Sequence, residues 1–115
     1  MQVLIVDDEA DIRESLCEFL EEAGFSVSTA ADGAEALVAL RRGDLPEIVI
    51  LDLLMPQMDG RELLSHMRRD PRLVEVPVLV STADPSDAPR GIKAMKKPVD
   101  LDQLLSVVRR HCCAA

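Results

Sequence analysis

Short apolar runs alternate with stretches whose apolar residues recur every three or four positions, and this alternation runs along the whole chain. Val3 to Val6 is the first run and ends on Asp7 and Asp8, the pattern of a central strand that delivers acids to its carboxyl end. From Asp11 the period becomes helical, with Ile12, Leu16, Phe19, Leu20 and Ala23 on one side and Glu14, Glu18, Glu21 and Glu22 on the other, up to Gly24. Phe25 to Ala30 mixes Val27 with Ser26, Ser28 and Thr29, which suits a half-exposed edge strand. Asp32-Gly33 opens a second helix carrying Ala34, Leu37 and Leu40 and closed by Gly43.

The run Ile48, Val49, Ile50 and Leu51 has the length and β-branching of a strand buried on both faces, as in parallel sheets. Pro56 then breaks the chain into a loop, and Asp59-Gly60 opens a third helix with Leu63, Leu64 and Met67 inward, ended by Asp70-Pro71. Val76 to Val80 makes a fourth strand leading into Ser81, Thr82 and Ala83. After a proline-rich connection come a short segment around Lys93 to Met95 and then Lys96-Lys97-Pro98. The last helix begins at Asp100, with Gln103 placed for a reciprocal cap and Leu101, Leu104, Leu105 and Val108 on one face. Strand followed by helix, with right-handed crossovers, gives the α/β class: a doubly wound five-stranded parallel sheet with helices on both faces.

At 115 residues the chain suits one domain, 1–115, with a single core. A hydrophobic fraction of 48% excludes disorder, and no apolar run approaches the ~20 residues of a membrane span. MQVLIVDDE lacks the features of a secretion signal, so the expectation is a cytoplasmic protein with no membrane contact. The net charge of -8 and pI near 4.6 would repel a phosphate backbone, which counts against direct nucleic-acid binding; most of this charge serves solubility. Cys17 lies beside an apolar stripe and reads as a small buried hydrophobe. The vicinal Cys112 and Cys113 have no further ligands at zinc-like spacing and read as free thiols on a fraying tail.

Asp52 ends the most apolar strand. A carboxylate there is costly unless paired or bound to a cation, and the carboxyl edge of a parallel sheet is where open α/β folds place ligands. The alternative is an Asp that merely caps the next turn. Strand one brings Asp7 and Asp8 to the same edge, strand four brings Thr82, and strand five brings Lys97. Each alone has an ordinary explanation; their convergence on one rim does not. Crowded carboxylates raise one another's proton affinity, a divalent cation relieves them, and hard oxygen ligands favour magnesium, Mg2+. In such a site the Asp52 carboxylate can attack a phosphoryl group in line to form an acyl phosphate, with Lys97 supplying a point charge and the Thr82 hydroxyl a hydrogen bond.

With VDDE after strand one, LDLLMPQMDG around strand three, STA after strand four and KKP after strand five, the chain resembles from end to end the receiver domain of two-component response regulators. The resemblance implies the flavodoxin-like strand order 2-1-3-4-5 and phosphorylation of Asp52 by a sensor histidine kinase or phosphotransfer protein. It implies direct binding of magnesium by Asp8, Asp52 and the Leu54 carbonyl, with Asp7 binding through water. It also implies that the Ala83 backbone N–H, Thr82 and Lys97 hold the phosphoryl oxygens, and a cis Lys97-Pro98 bond fits. Such a domain is a signalling phosphoacceptor that catalyses only its own phosphorylation and dephosphorylation, and a downstream protein or fused effector domain reads it.

Rival readings fit less well. An aspartyl-phosphate hydrolase needs a second acid or base where the chain has Leu54, and a nucleotide site needs a glycine-rich loop where the chain has VDDEADIRE. A degenerate receiver acting as a phosphorylation-independent interaction module would not need all five site positions filled. The chain does depart from the family pattern. Leu54 and Asp84 flank the expected path of hydrolytic water, and the apolar Leu54 predicts slow self-dephosphorylation. The fourth crossover is shorter than in relatives by roughly two helical turns; Pro85, Pro89 and Gly91 leave a loop or at most one turn there. Ala94 stands where relatives carry the aromatic that reports phosphorylation. Output is therefore expected through helix one, the loop after Asp52, or ordering of residues 84 to 92.

Overall fold

The computed structural model describes residues 2–53, 55 and 58–112. Five parallel strands, β1 (Val3–Val6), β2 (Val27–Ala30), β3 (Ile48–Asp52), β4 (Val78–Thr82) and β5 (Lys93–Lys96), lie in the order β2-β1-β3-β4-β5. Helices α1 (Ala10–Glu22) and α4 (Leu101–Cys112) cover one face, while α2 (Gly33–Arg42) and α3 (Gly60–Arg69) cover the other. The flavodoxin-like order is thus the one the sequence motifs implied. β1 and β3 are buried along their whole lengths. Each of their large aliphatic side chains contributes about 1.5–3 kcal/mol by leaving water, which pins the two strands in height. The acids at their ends are pinned with them.

Local signals in the chain start and stop the helices. Asp32 and Asp59 cap α2 and α3 by accepting from the Glu35 and Glu62 amides at 2.8 and 3.0 Å, and Asp100 accepts from the Gln103 amide at 3.0 Å. Leu16 and Leu20 bury the inner stripe of α1, with Ile12 and Phe19 packed beside them. Gly24, at φ 100°, takes the left-handed turn that ends it.

The structure differs from the sequence pattern in several places. β4 starts two residues later than the apolar run, because the Val76 amide is used in a turn to the Leu73 carbonyl and Pro77 has no amide to give. It then continues through the buried Ser81 and Thr82. Phe25 closes α1 by donating to the Leu20 carbonyl, so β2 begins only at Val27. On α2 the inward face runs through Gly33, Ala36, Leu37 and Leu40, which leaves Ala34 exposed. On α4, Val107 and Cys112 join Leu104 and Val108 inside, and Leu101 is exposed. Cys112 is therefore no tail thiol. It is buried in the core between α4 and the sheet, and burial, together with the nearby Glu47 carboxylate, pushes its pKa up to about 11. Cys113 lies outside the described residues.

The fourth crossover holds a single 3-10 turn, Pro85–Asp87, capped by the Asp84 carboxylate, as the two prolines and Gly91 predict. Arg61 of α3 reaches across and donates to the Asp87 carbonyl at 2.6 Å, tying this short connection to the helix face. β5 still runs parallel to β4, with Thr82 level with Lys96.

Candidate functional site: an acid cluster on the carboxyl rim

Register builds the site. Val6 pairs with Leu51, so Asp7 emerges level with Asp52; Asp52 pairs with Ser81 and Thr82 with Lys96, so Thr82 and Lys97 stand one step further along the same rim. Carboxylate oxygens of Asp7, Asp8 and Asp52 lie within 4.8 Å of one another. Asp7 and Asp52 are buried, and Asp8 faces solvent. Lys97 reaches in from β5, with Nζ 3.2 Å from Asp52 Oδ2 and 3.5 Å from Asp7 Oδ2. Burial works against the Lys97 ammonium, but the Asp52 and Asp7 carboxylates outweigh it and raise its pKa above the ordinary value. The peptide bond between Lys97 and Pro98 is cis, and the Lys97 amide donates to the Thr82 carbonyl at 2.8 Å, locking β5 to β4 at the rim.

The sequence reading brought Asp7, Asp8, Asp52, Thr82 and Lys97 to this rim, and all five are there. Ala83 follows the buried Thr82 and is itself exposed. Leu54, expected to contribute its carbonyl, lies outside the described residues. Thr82 Oγ1 accepts from the Asp84 amide at 3.4 Å. Sequence reasoning placed Asp84 beside the expected path of hydrolytic water. Its carboxylate accepts from the Ser86 amide at 3.0 Å and hydroxyl at 2.8 Å, bonds that lower its pKa.

Three residues of the site escaped the sequence reading. Arg13, on α1, donates to the Asp7 carbonyl at 2.7 Å, while the Glu9 amide donates to Asp7 Oδ1 at 2.9 Å; together they fix the turn that carries the acid pair. Its i, i+6 relation to Asp7 crosses a loop and follows no helical spacing. Gly60 starts α3 against the end of β3, donating to the Leu53 carbonyl at 2.9 Å. A Cβ there would fall 2.7 Å from the Asp52 carbonyl oxygen and 2.8 Å from Leu53 Cα, so only glycine permits the approach. Gly33 similarly abuts the Met58 carbonyl and donates to it at 2.9 Å, fastening the loop after β3 to α2.

Three carboxylates with oxygen ligands only, two of them buried, fit a hard divalent cation of the magnesium type far better than a transition metal. A doubly wound parallel sheet in this order, with acids, a threonine and a lysine converging on its carboxyl rim, defines a signalling receiver. The chain belongs to the response regulator receiver domain family, whose model matches residues 3–109. It is 40% identical to the response regulator Rre1 of Synechocystis, over 95% of this chain and 50% of that protein. Against the response regulator MprA of Mycobacterium leprae it is 39% identical, again over 95% and 50%. The chain therefore spans about half the length of these curated relatives. Among solved structures, a putative response regulator from Chloroflexus aurantiacus superposes with a TM-score of 0.87 at 32% identity, covering 97% of each chain. The response regulator TrrA of Thermotoga maritima, solved in complex with Mg(2+)-BeF, gives 0.82 at 31% identity, covering 96% of this chain and 98% of that one. Among the described residues, no helix is long and apolar enough to cross a membrane.

Proposed function

We propose that this receiver accepts a phosphoryl group on Asp52 from a sensor histidine kinase or phosphotransfer protein and passes the signal to a downstream protein or fused effector domain. The observation that carries this reading is the Lys97 ammonium held between Asp52 and Asp7, with Asp8 completing the acid cluster. The reading has Asp7, Asp8, Asp52 and the Leu54 carbonyl holding magnesium, which when bound supplies charge neutralisation for an incoming phosphoryl group. An Asp52 carboxylate oxygen attacks phosphorus in line, the new P–O bond forms as the donor's P–N bond breaks, and the donor histidine keeps the electron pair. Lys97 stabilises charge on one phosphoryl oxygen, while the Thr82 hydroxyl and Ala83 N–H serve the others. The chain catalyses nothing beyond its own phosphorylation and dephosphorylation, in the cytoplasm.

Intact-mass analysis after treatment with acetyl phosphate and magnesium tests this. One added phosphoryl group is expected, absent in Asp52→Asn and absent when magnesium is chelated. An adduct that persists in Asp52→Asn overturns the assignment. A wild-type chain that stays unmodified makes the protein a phosphorylation-independent interaction module instead.

A further inference from the structure

Helices α2 and α3 pack over β1 and β3, while the amino ends of β4 and β5 are flanked by the end of α3 and the connection that follows it. A groove of about 320 Å³ remains there, far from the acid cluster. Leu64 and Met67 of α3, Leu73, Val74 and Val76 of the following connection and Ile92 before β5 give it apolar walls. Val74 is 52% exposed, so this surface does not close on itself. The volume lies at the low end for small-molecule sites and suits a few apolar side chains better than a cofactor.

Arg68, Lys93 and His111 rim the groove, and among the described residues no carboxylate lines it. This is notable in a chain of net charge -8. Residues 1–60 hold three Lys and Arg against fourteen Asp and Glu, whereas residues 61–112 hold ten against seven. Cations in the last turns of α3 and α4 complement the helix dipoles. That need explains neither Lys93, which is on a strand, nor the meeting of an arginine, a lysine and a histidine from separate elements around one apolar surface.

We propose that this groove docks an acidic amphipathic helix of a partner protein, its apolar side chains on Val74, Val76 and Ile92 and its carboxylates against Arg68, Lys93 and His111. A second copy of the chain is a poor occupant. Its other exposed large hydrophobics among the described residues are Val38, one turn from Arg41 and Arg42, and Leu101, alone between Asp100 and Asp102. Neither belongs to an exposed apolar stripe. Nucleic acid would meet the cations but leave the apolar walls unfilled.

The test is a titration of the isotope-labelled full chain, followed by amide shifts. The probe is a synthetic helix of about 15 residues with leucines on one face and glutamates on the other; its lysine counterpart and a DNA duplex serve as controls. Shifts are expected to cluster at Val74, Val76, Ile92 and Lys93. Binding should weaken at least about tenfold in Val74→Ser and in the double variant Arg68→Glu, Lys93→Glu, and should weaken with salt. Phosphoryl acceptance at Asp52 stays unchanged in these variants, so docking and phosphorylation are separable. Equal binding of the lysine peptide, shifts centred elsewhere, or tighter binding of the duplex at this groove overturns the proposal. So does sedimentation showing that the chain buries this surface against itself.

Discussion

Replacing Gly60 by alanine tests how the rim is held. The added Cβ meets main-chain atoms, the Asp52 carbonyl oxygen at 2.7 Å and Leu53 Cα at 2.8 Å, and backbone cannot rotate away as a side-chain tip can. Overpacking of this kind costs about 1–3 kcal/mol. Helix propensity works the other way but gives at most ~1 kcal/mol in a helix interior and less at its first residue, so the clash wins by roughly 1–2 kcal/mol. For a chain of this size the melting temperature should fall by roughly 5–10 °C. Because the atoms displaced are those of Asp52 itself, phosphoryl acceptance should slow by roughly tenfold as well. Gly43→Ala is the control: its extended backbone accepts any residue, and nothing lies within 4 Å of the added carbon. Thermal unfolding by circular dichroism and adduct formation by mass spectrometry measure both effects. If Gly60→Ala melts and reacts like Gly43→Ala, the close approach of α3 to β3 does not hold the site.

Lys97→Met removes the cation between two buried carboxylates. Stability should drop by roughly 2 kcal/mol, below the usual figure for breaking a buried pair because the lysine side chain is 21% exposed. Magnesium should restore part of the loss by binding the folded state; urea unfolding that shows no recovery with magnesium argues against a cation site. Cys112 gives a pH signature. Burial first, and Glu47 second, raise its pKa from 9.0 to about 11, so its contribution to stability is complete below about 9 and is lost as pH rises through about 11. Cys112→Ala should lack this decline between pH 9 and 11, and urea midpoints that decline equally in both proteins would show the thiol is not protected. Arg61→Ala should speed amide exchange at Asp87 and Ala88 by releasing the 2.6 Å bond to the crossover. A beryllofluoride phosphoryl mimic should alter protection in residues 84 to 92; change confined to Leu101 to Arg110 would place the output on α4.

Apolar periodicity alone determined the alternation of strands and helices, because a strand buried on both faces and an amphipathic helix need different repeats. Capping chemistry marked the starts of α2 and α3 to the residue, since Asp32 and Asp59 each precede a glycine that begins the helix. The convergence of the acids, the threonine and the lysine was legible because parallel strands expose all their carboxyl ends on one rim. Depth and neighbourhood were not legible. The tail reading of Cys112 failed because α4 runs to that residue and turns its thiol onto the core, a rotation that local spacing leaves open. Similarly, Ala34 and Ala36 are equivalent by composition, and only the packing of α2 against the sheet selects Ala36. Tertiary structure alone decided the height at which Asp7 meets Asp52, the closeness of Gly60 to the strand end, the Arg13 bond to the Asp7 carbonyl and the basic rim around the uncovered groove. Each of these depends on segments that only register and packing bring together, and a chain read in one dimension carries no record of such distances.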